Sequence, residues 1–108
     1  MTIQKDKKYL VALFSIIQYI AKDKPSAAKA FVKELDKHIL NLVQFPYKYR
    51  QSNYYEDEHY RDLTYKGYTL IYKITDEAIQ ILDIFKWVDK WFSVPVIMRR
   101  LILQLQSG

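Results

Sequence analysis

Tyr60-Arg61-Asp62-Leu63-Thr64-Tyr65-Lys66-Gly67-Tyr68-Thr69-Leu70-Ile71-Tyr72-Lys73-Ile74-Thr75-Asp76-Glu77-Ala78-Ile79-Gln80-Ile81-Leu82-Asp83-Ile84-Phe85 is the stretch that decides the fold. Three runs, 60–65, 68–75 and 78–85, are rich in β-branched and aromatic residues, the types that fit a pleated surface. Lys66-Gly67 makes a two-residue hairpin connection whose glycine takes positive φ without a Cβ clash, and Asp76-Glu77 supplies the second turn. The stretch therefore predicts an antiparallel β-meander. Alternation puts Tyr68, Leu70, Tyr72 and Ile74 on one face of the middle strand and Thr69, Ile71 and Lys73 on the other. In the last run Ile79, Ile81, Leu82, Ile84 and Phe85 place apolar groups on both faces, as in a central strand.

Upstream, Leu10, Leu13, Ile17 and Ile20 recur at helical spacing, with Phe14 and Ile16 widening the stripe, so residues 6–22 read as an amphipathic helix with that face in the core. Lys22-Asp23-Lys24-Pro25 breaks the pattern, because proline disfavours a helical residue before it and suits the first turn of a helix after it. A second helix carries Ala28, Phe31, Leu35, Ile39 and Leu42 and ends before Phe45-Pro46. His38 lies beside this stripe, with no other ligand type at metal spacing, and reads as a half-buried helical histidine. The expected class is α+β: a helical hairpin on one face of a small, mainly antiparallel sheet, whose other face stays open as a concave binding surface.

Residues 47–59 follow neither period and mix five tyrosines' worth of interface chemistry, from Tyr47 through Tyr49, Tyr54 and Tyr55 to neighbouring Tyr60, with charge. Loops of this length in a small domain are more often functional than mere connections.

The chain has 108 residues, half of them hydrophobic and 16% aromatic, enough for one core and one domain. Cysteine is absent, which excludes disulfides, thiolate metal sites and cysteine nucleophiles and fits a reducing compartment; the cytoplasm is the expected location. No cofactor and no metal site is expected. The N-terminus has neither a signal-peptide core nor an apolar run long enough to span a bilayer, so no membrane partner is expected. A net charge of +5 with a pI of 9.3 points to a nucleic-acid or acidic-protein partner. The excess lies in the helical half: residues 1–44 hold eight lysines against four acids, and residues 45–92 hold seven cations against eight acids.

Residues 1–92 form the expected domain, and residues 93–108, Ser93-Val94-Pro95-Val96-Ile97-Met98-Arg99-Arg100-Leu101-Ile102-Leu103-Gln104-Leu105-Gln106-Ser107-Gly108, an apolar tail. That tail reads as a short helix that docks or dimerises, giving a homodimer or a hetero-oligomer as the expected assembly.

Three motifs stand in fixed order: Tyr19-Ile20-Ala21-Lys22-Asp23-Lys24-Pro25-Ser26-Ala27-Ala28 at the helix junction, Phe45-Pro46 followed by Tyr49-Arg50, and Arg61-Asp62-Leu63 leading into Lys66-Gly67-Tyr68-Thr69-Leu70-Ile71-Tyr72-Lys73-Ile74 with Ile79-Gln80-Ile81-Leu82. The ordered set, covering about residues 5–88, resembles the RelE/ParE superfamily of type II toxin-antitoxin toxins. The resemblance implies an N-terminal strand, at Thr2 to Gln4, completing the sheet, and a cognate antitoxin whose disordered segment folds onto the toxin. It also implies one of two targets. RelE-like members cut messenger RNA on the ribosome and need an acid, a base and phosphate-binding cations. ParE-like members bind and poison DNA gyrase and need no such set.

Lys48, Arg50, Arg61, Lys66, Lys73 and Lys86 are the candidate target-binding cations, with Arg50, Arg61, Lys66 and Lys86 the leading four. For catalysis the candidates are Arg61, Lys66, Glu56 and His59. RNA-cleaving relatives usually carry a histidine or tyrosine just past the last strand, where this chain has Lys86-Trp87-Val88-Asp89-Lys90-Trp91; the two tryptophans read as packing or antitoxin contacts. That departure favours the ParE-like reading and leaves enzymatic activity open; the tail from Ser93 to Gly108, where relatives usually stop soon after the last strand, keeps an inactivated, antitoxin-binding member as a third reading.

Overall fold

A computed structural model describes residues 1–86 together with Met98, Leu101, Gln104 and Leu105. The element order is β1 (Thr2–Lys5), α1 (Lys7–Asp23), α2 (Pro25–Asn41), β2 (Tyr60–Tyr65), β3 (Tyr68–Ile74) and β4 (Ala78–Lys86). The sheet runs β1-β4-β3-β2, antiparallel except where β1 pairs parallel with β4. The meander, the hairpin and the N-terminal strand all stand where expected. Trp87 and Trp91 lie outside the described residues, as does most of the tail; Met98, Leu101, Gln104 and Leu105 are helical and exposed.

Local chemistry explains each junction. The β2–β3 turn holds Lys66 at φ 49° and Gly67 at φ 82°, the double positive φ of a type I′ turn that matches the twist of the flanking strands. Lys66 accepts the left-handed region at a cost of about 1–2 kcal/mol. At the next turn the Thr75 hydroxyl donates to the Ala78 carbonyl and accepts the Ala78 N–H, both at 3.0 Å. Lys24 alone separates the helices; its N–H donates to Ile20 O, and Pro25 starts α2 where a missing N–H costs nothing.

The core lies between the hairpin and one sheet face. Tyr9 and Leu13 of α1 and Phe31, Leu35 and Ile39 of α2 meet Leu63, Leu70, Tyr72, Ile79, Ile81 and Ile84. Each of the leucine, isoleucine and phenylalanine side chains among them contributes about 1.5–3 kcal/mol on burial. Register agrees with the alternation: Leu63 pairs with Leu70, and Leu70 with Ile84. Between Ile71 and Tyr72 the ladder shifts, with Leu82 as the extra residue of a bulge in β4.

Two expectations are corrected. The buried stripe of α1 is Tyr9-Leu13 flanked by Ile16 and Ile20, whereas Leu10 and Phe14 are 47% and 60% exposed. A 100° step per residue turns those two past the edge of the sheet-facing arc, which Tyr9 already fills. The sheet face away from the helices is also closed over its middle: Asp62, Thr69, Ile71 and Phe85 are buried there, and Tyr54 sets its ring edge-on to Phe85 at 5.3 Å. No open concavity extends across β3.

Candidate functional surfaces

The two residues displaced from the core, Leu10 and Phe14, continue into the first surface. Leu10, Phe14, Ile17 and Ala21 recur on α1 at spacings of four, three and four, so they share one outer edge of that helix. From Ile17 onward this edge faces Pro25, Ala28 and Val32 of α2 across a shallow groove of about 500 Å³. Alanines at positions 21 and 28 keep the floor low. Lys29 and Lys33 form its rim. Asp36, further along α2, pairs with Lys5 at 3.2 Å. An apolar slot with a cationic edge receives the apolar face of an amphipathic, acidic helix. The sequence showed this surface only as excess width in the α1 apolar arc, and gave no signal for Val32.

The six candidate cations fall into separate places. Lys66 and Lys86 gather at the hairpin end, where Lys66 Nζ lies 5.6 Å from the Tyr65 ring and Lys86 Nζ lies 4.9 Å from Tyr19 and 5.5 Å from Tyr68. His38 sets its ring 5.2 Å from Tyr65 at this same end, half-buried as expected. Lys73 lies at the far end of β3, over the Tyr60 ring at 5.3 Å, with Tyr55 stacked on Tyr60 at 4.1 Å. About 17 Å of strand separates Tyr68 from Lys73. Lys48, Arg50 and Arg61 belong to a third place, the loop beside β2.

There Arg61 works as a clamp on the loop. Its Nε donates to Glu58 O at 2.8 Å, its NH1 donates to Tyr49 O at 3.2 Å, and its guanidinium lies 4.8 Å over the Tyr47 ring. Its neighbour Asp62 is fully buried: Oδ2 accepts the Asn53 N–H at 3.0 Å and stands 3.8 Å from Arg50, while Oδ1 finds no partner among the described residues. With the Asn53 amide turned oxygen-first, both Arg50 terminal nitrogens lie 3.1 Å from it. Gln51 pairs antiparallel with Arg61, Ser52 N–H donates to Tyr60 O, and Asp62 N–H donates to Arg50 O. The loop thus borrows β2 as a template. Burial, with Asp62 adding, raises the Tyr54 hydroxyl above its ordinary value.

Of the acid-base candidates, Glu56 is exposed on the loop. His59 places Nδ1 2.8 Å from Asp57 Oδ1, which also accepts the His59 N–H at 2.9 Å. Those bonds, the backbone one foremost, hold the Asp57 carboxyl below its usual range. Among the described residues no group of three or more His, Cys, Asp or Glu side chains is placed to hold a metal ion. No helix among them is long and apolar enough to cross a membrane.

Comparison with known proteins now adds to this geometry. The family described as "ParE toxin of type II toxin-antitoxin system, parDE" matches residues 6–90. Among solved structures, the "Chromosomal ParDE TA system from P. aeruginosa" is similar over 80% of this chain and 95% of its own, at a TM-score of 0.65 and 21% identity, which supports the same fold. No match was found among curated proteins.

Proposed function

Because the chain belongs to the ParE toxin family of type II toxin-antitoxin systems, we propose that it arrests growth by binding and poisoning DNA gyrase, and that a cognate antitoxin silences it. The observation that carries the target is the scatter of the cations. Cleaving RNA by 2′-hydroxyl attack needs an acid, a base and cations converging within hydrogen-bond reach of one phosphate. Here Arg61 holds two loop carbonyls through Nε and NH1, and Lys73 lies a strand's length from Lys66 and Lys86. A binding poison has no need of that convergence. The antitoxin reading rests on the α1–α2 groove, whose apolar floor and lysine rim suit an acidic amphipathic helix that folds as it binds.

One observation favours a second reading, a RelE-like ribosome-dependent endoribonuclease: Lys66, Lys86, Tyr65 and His38 do share the hairpin end. Expressing the chain without a partner separates the two. The gyrase reading expects growth arrest with intact messenger RNA by primer extension and double-strand DNA breaks. Cuts within ribosome-bound codons, lost in Lys86→Ala, would replace it with the nuclease.

A further inference from the structure

A second apolar surface remains, beyond the groove. Around the C-terminal end of α2, Leu40, Val43, Phe45 and Tyr47 are 65%, 38%, 56% and 51% exposed. Two shallow depressions adjoin at Asn41, one walled by Phe45, Pro46 and Tyr47, the other by Leu40, Val43 and Gln44. Contiguous apolar exposure of this kind marks interaction surfaces.

The patch is propped up, not frayed. Val43 N–H donates to Leu40 O, Phe45 N–H to Asn41 O and Lys48 N–H to Phe45 O, each at 3.2 Å. From the sheet, the Tyr72 hydroxyl donates to Pro46 O at 2.7 Å, and Arg61 stacks on Tyr47. A pre-organised apolar surface loses little conformational entropy on docking. Its charge selects the partner: residues 40–50 carry Lys48 and Arg50 and no acid. The patch also begins where α2 ends, whereas the groove takes its α2 wall from Pro25 to Val32 at the other end of that helix.

Building on the gyrase-binding reading above, we infer that this patch seats the toxin on its target protein, at an apolar protrusion flanked by carboxylates, while the antitoxin takes the groove. The full-length chain and its Leu40→Glu, Phe45→Glu and Phe45→Leu variants, each checked for a cooperative thermal transition, are assayed for inhibition of gyrase supercoiling, for antitoxin binding and for growth arrest. Both glutamate variants are expected to inhibit gyrase about 30-fold more weakly with antitoxin affinity unchanged, and Phe45→Leu to keep most inhibition. Folded glutamate variants that inhibit gyrase like the parent, or that lose antitoxin binding in parallel, overturn the inference. A parent that arrests growth without inhibiting gyrase removes the gyrase reading alone; the patch then stands if the glutamate variants no longer arrest growth and falls if they do. A parent that does neither sinks both.

Discussion

The two ends of helix α2 expose apolar surface by different means. Near Pro25, the groove is a by-product of core packing: α1 and α2 meet through Ala21 and Ala28, and the slot between them follows from their small size. Around Asn41, the exposed patch of Leu40, Val43, Phe45 and Tyr47 rests, on its Pro46–Tyr47 side, on polar props reaching from β2 and β3, namely Arg61 and the Tyr72 hydroxyl. A slot suits a helix, and raised side chains suit a pocket. The difference means that the groove and the patch can be damaged independently, the first by filling it, the second by removing its props.

Filling the groove gives the largest expected effect. Val32→Glu buries an unpaired carboxylate against a docked helix, and antitoxin affinity is expected to fall about 100-fold by isothermal titration calorimetry, with gyrase inhibition retained. Parallel loss of gyrase inhibition would merge the two surfaces into one. Removing a prop is next. Arg61→Ala deletes two hydrogen bonds from a charged donor and a ring contact, and is expected to lower stability by about 2 kcal/mol in urea unfolding, with Arg61→Lys recovering only part of it.

Two buried tyrosines sharpen the contrast between prop and core. Tyr72→Phe loses the bond to Pro46 and is expected to cost about 1 kcal/mol. Tyr9 is fully buried, and its hydroxyl finds no partner among the described residues, so Tyr9→Phe is expected to be neutral or stabilising by up to about 1 kcal/mol. Denaturant midpoints of the pair decide it. Burial raises both hydroxyls above the ordinary value of 10.0, with Asp36 adding to the shift at Tyr9. A raised folded-state pKa keeps its stability contribution below pH 10 and loses it above, as unfolding lets the phenols ionise. The smallest effect is therefore a steeper fall in melting temperature above pH 10 for the parent than for a Tyr9→Phe, Tyr72→Phe double variant.

How much was legible in the sequence follows the same division. Strand and helix periodicity located the meander and the hairpin because those elements bury continuous faces, such as Leu63, Leu70 and Ile84 in register. Periodicity reports the width of an apolar arc but not which edge meets the sheet, so Leu10 and Phe14 read as core. The loop's template on β2 was invisible: Gln51, Ser52 and Asn53 have no strand pattern, and their partners Tyr60 and Asp62 are known only once the chain folds back. Arg61 was singled out for its charge, and its ties to Glu58 O and Tyr49 O are backbone contacts that no residue type announces.

The most direct test of the central claim is made with purified components. The full chain is incubated with DNA gyrase and supercoiled plasmid, with and without its antitoxin, and in parallel with translating ribosomes. The account predicts gyrase-linked plasmid cleavage that the antitoxin suppresses, with messenger RNA left intact. Messenger RNA cut at ribosome-bound codons while gyrase works unhindered would contradict it.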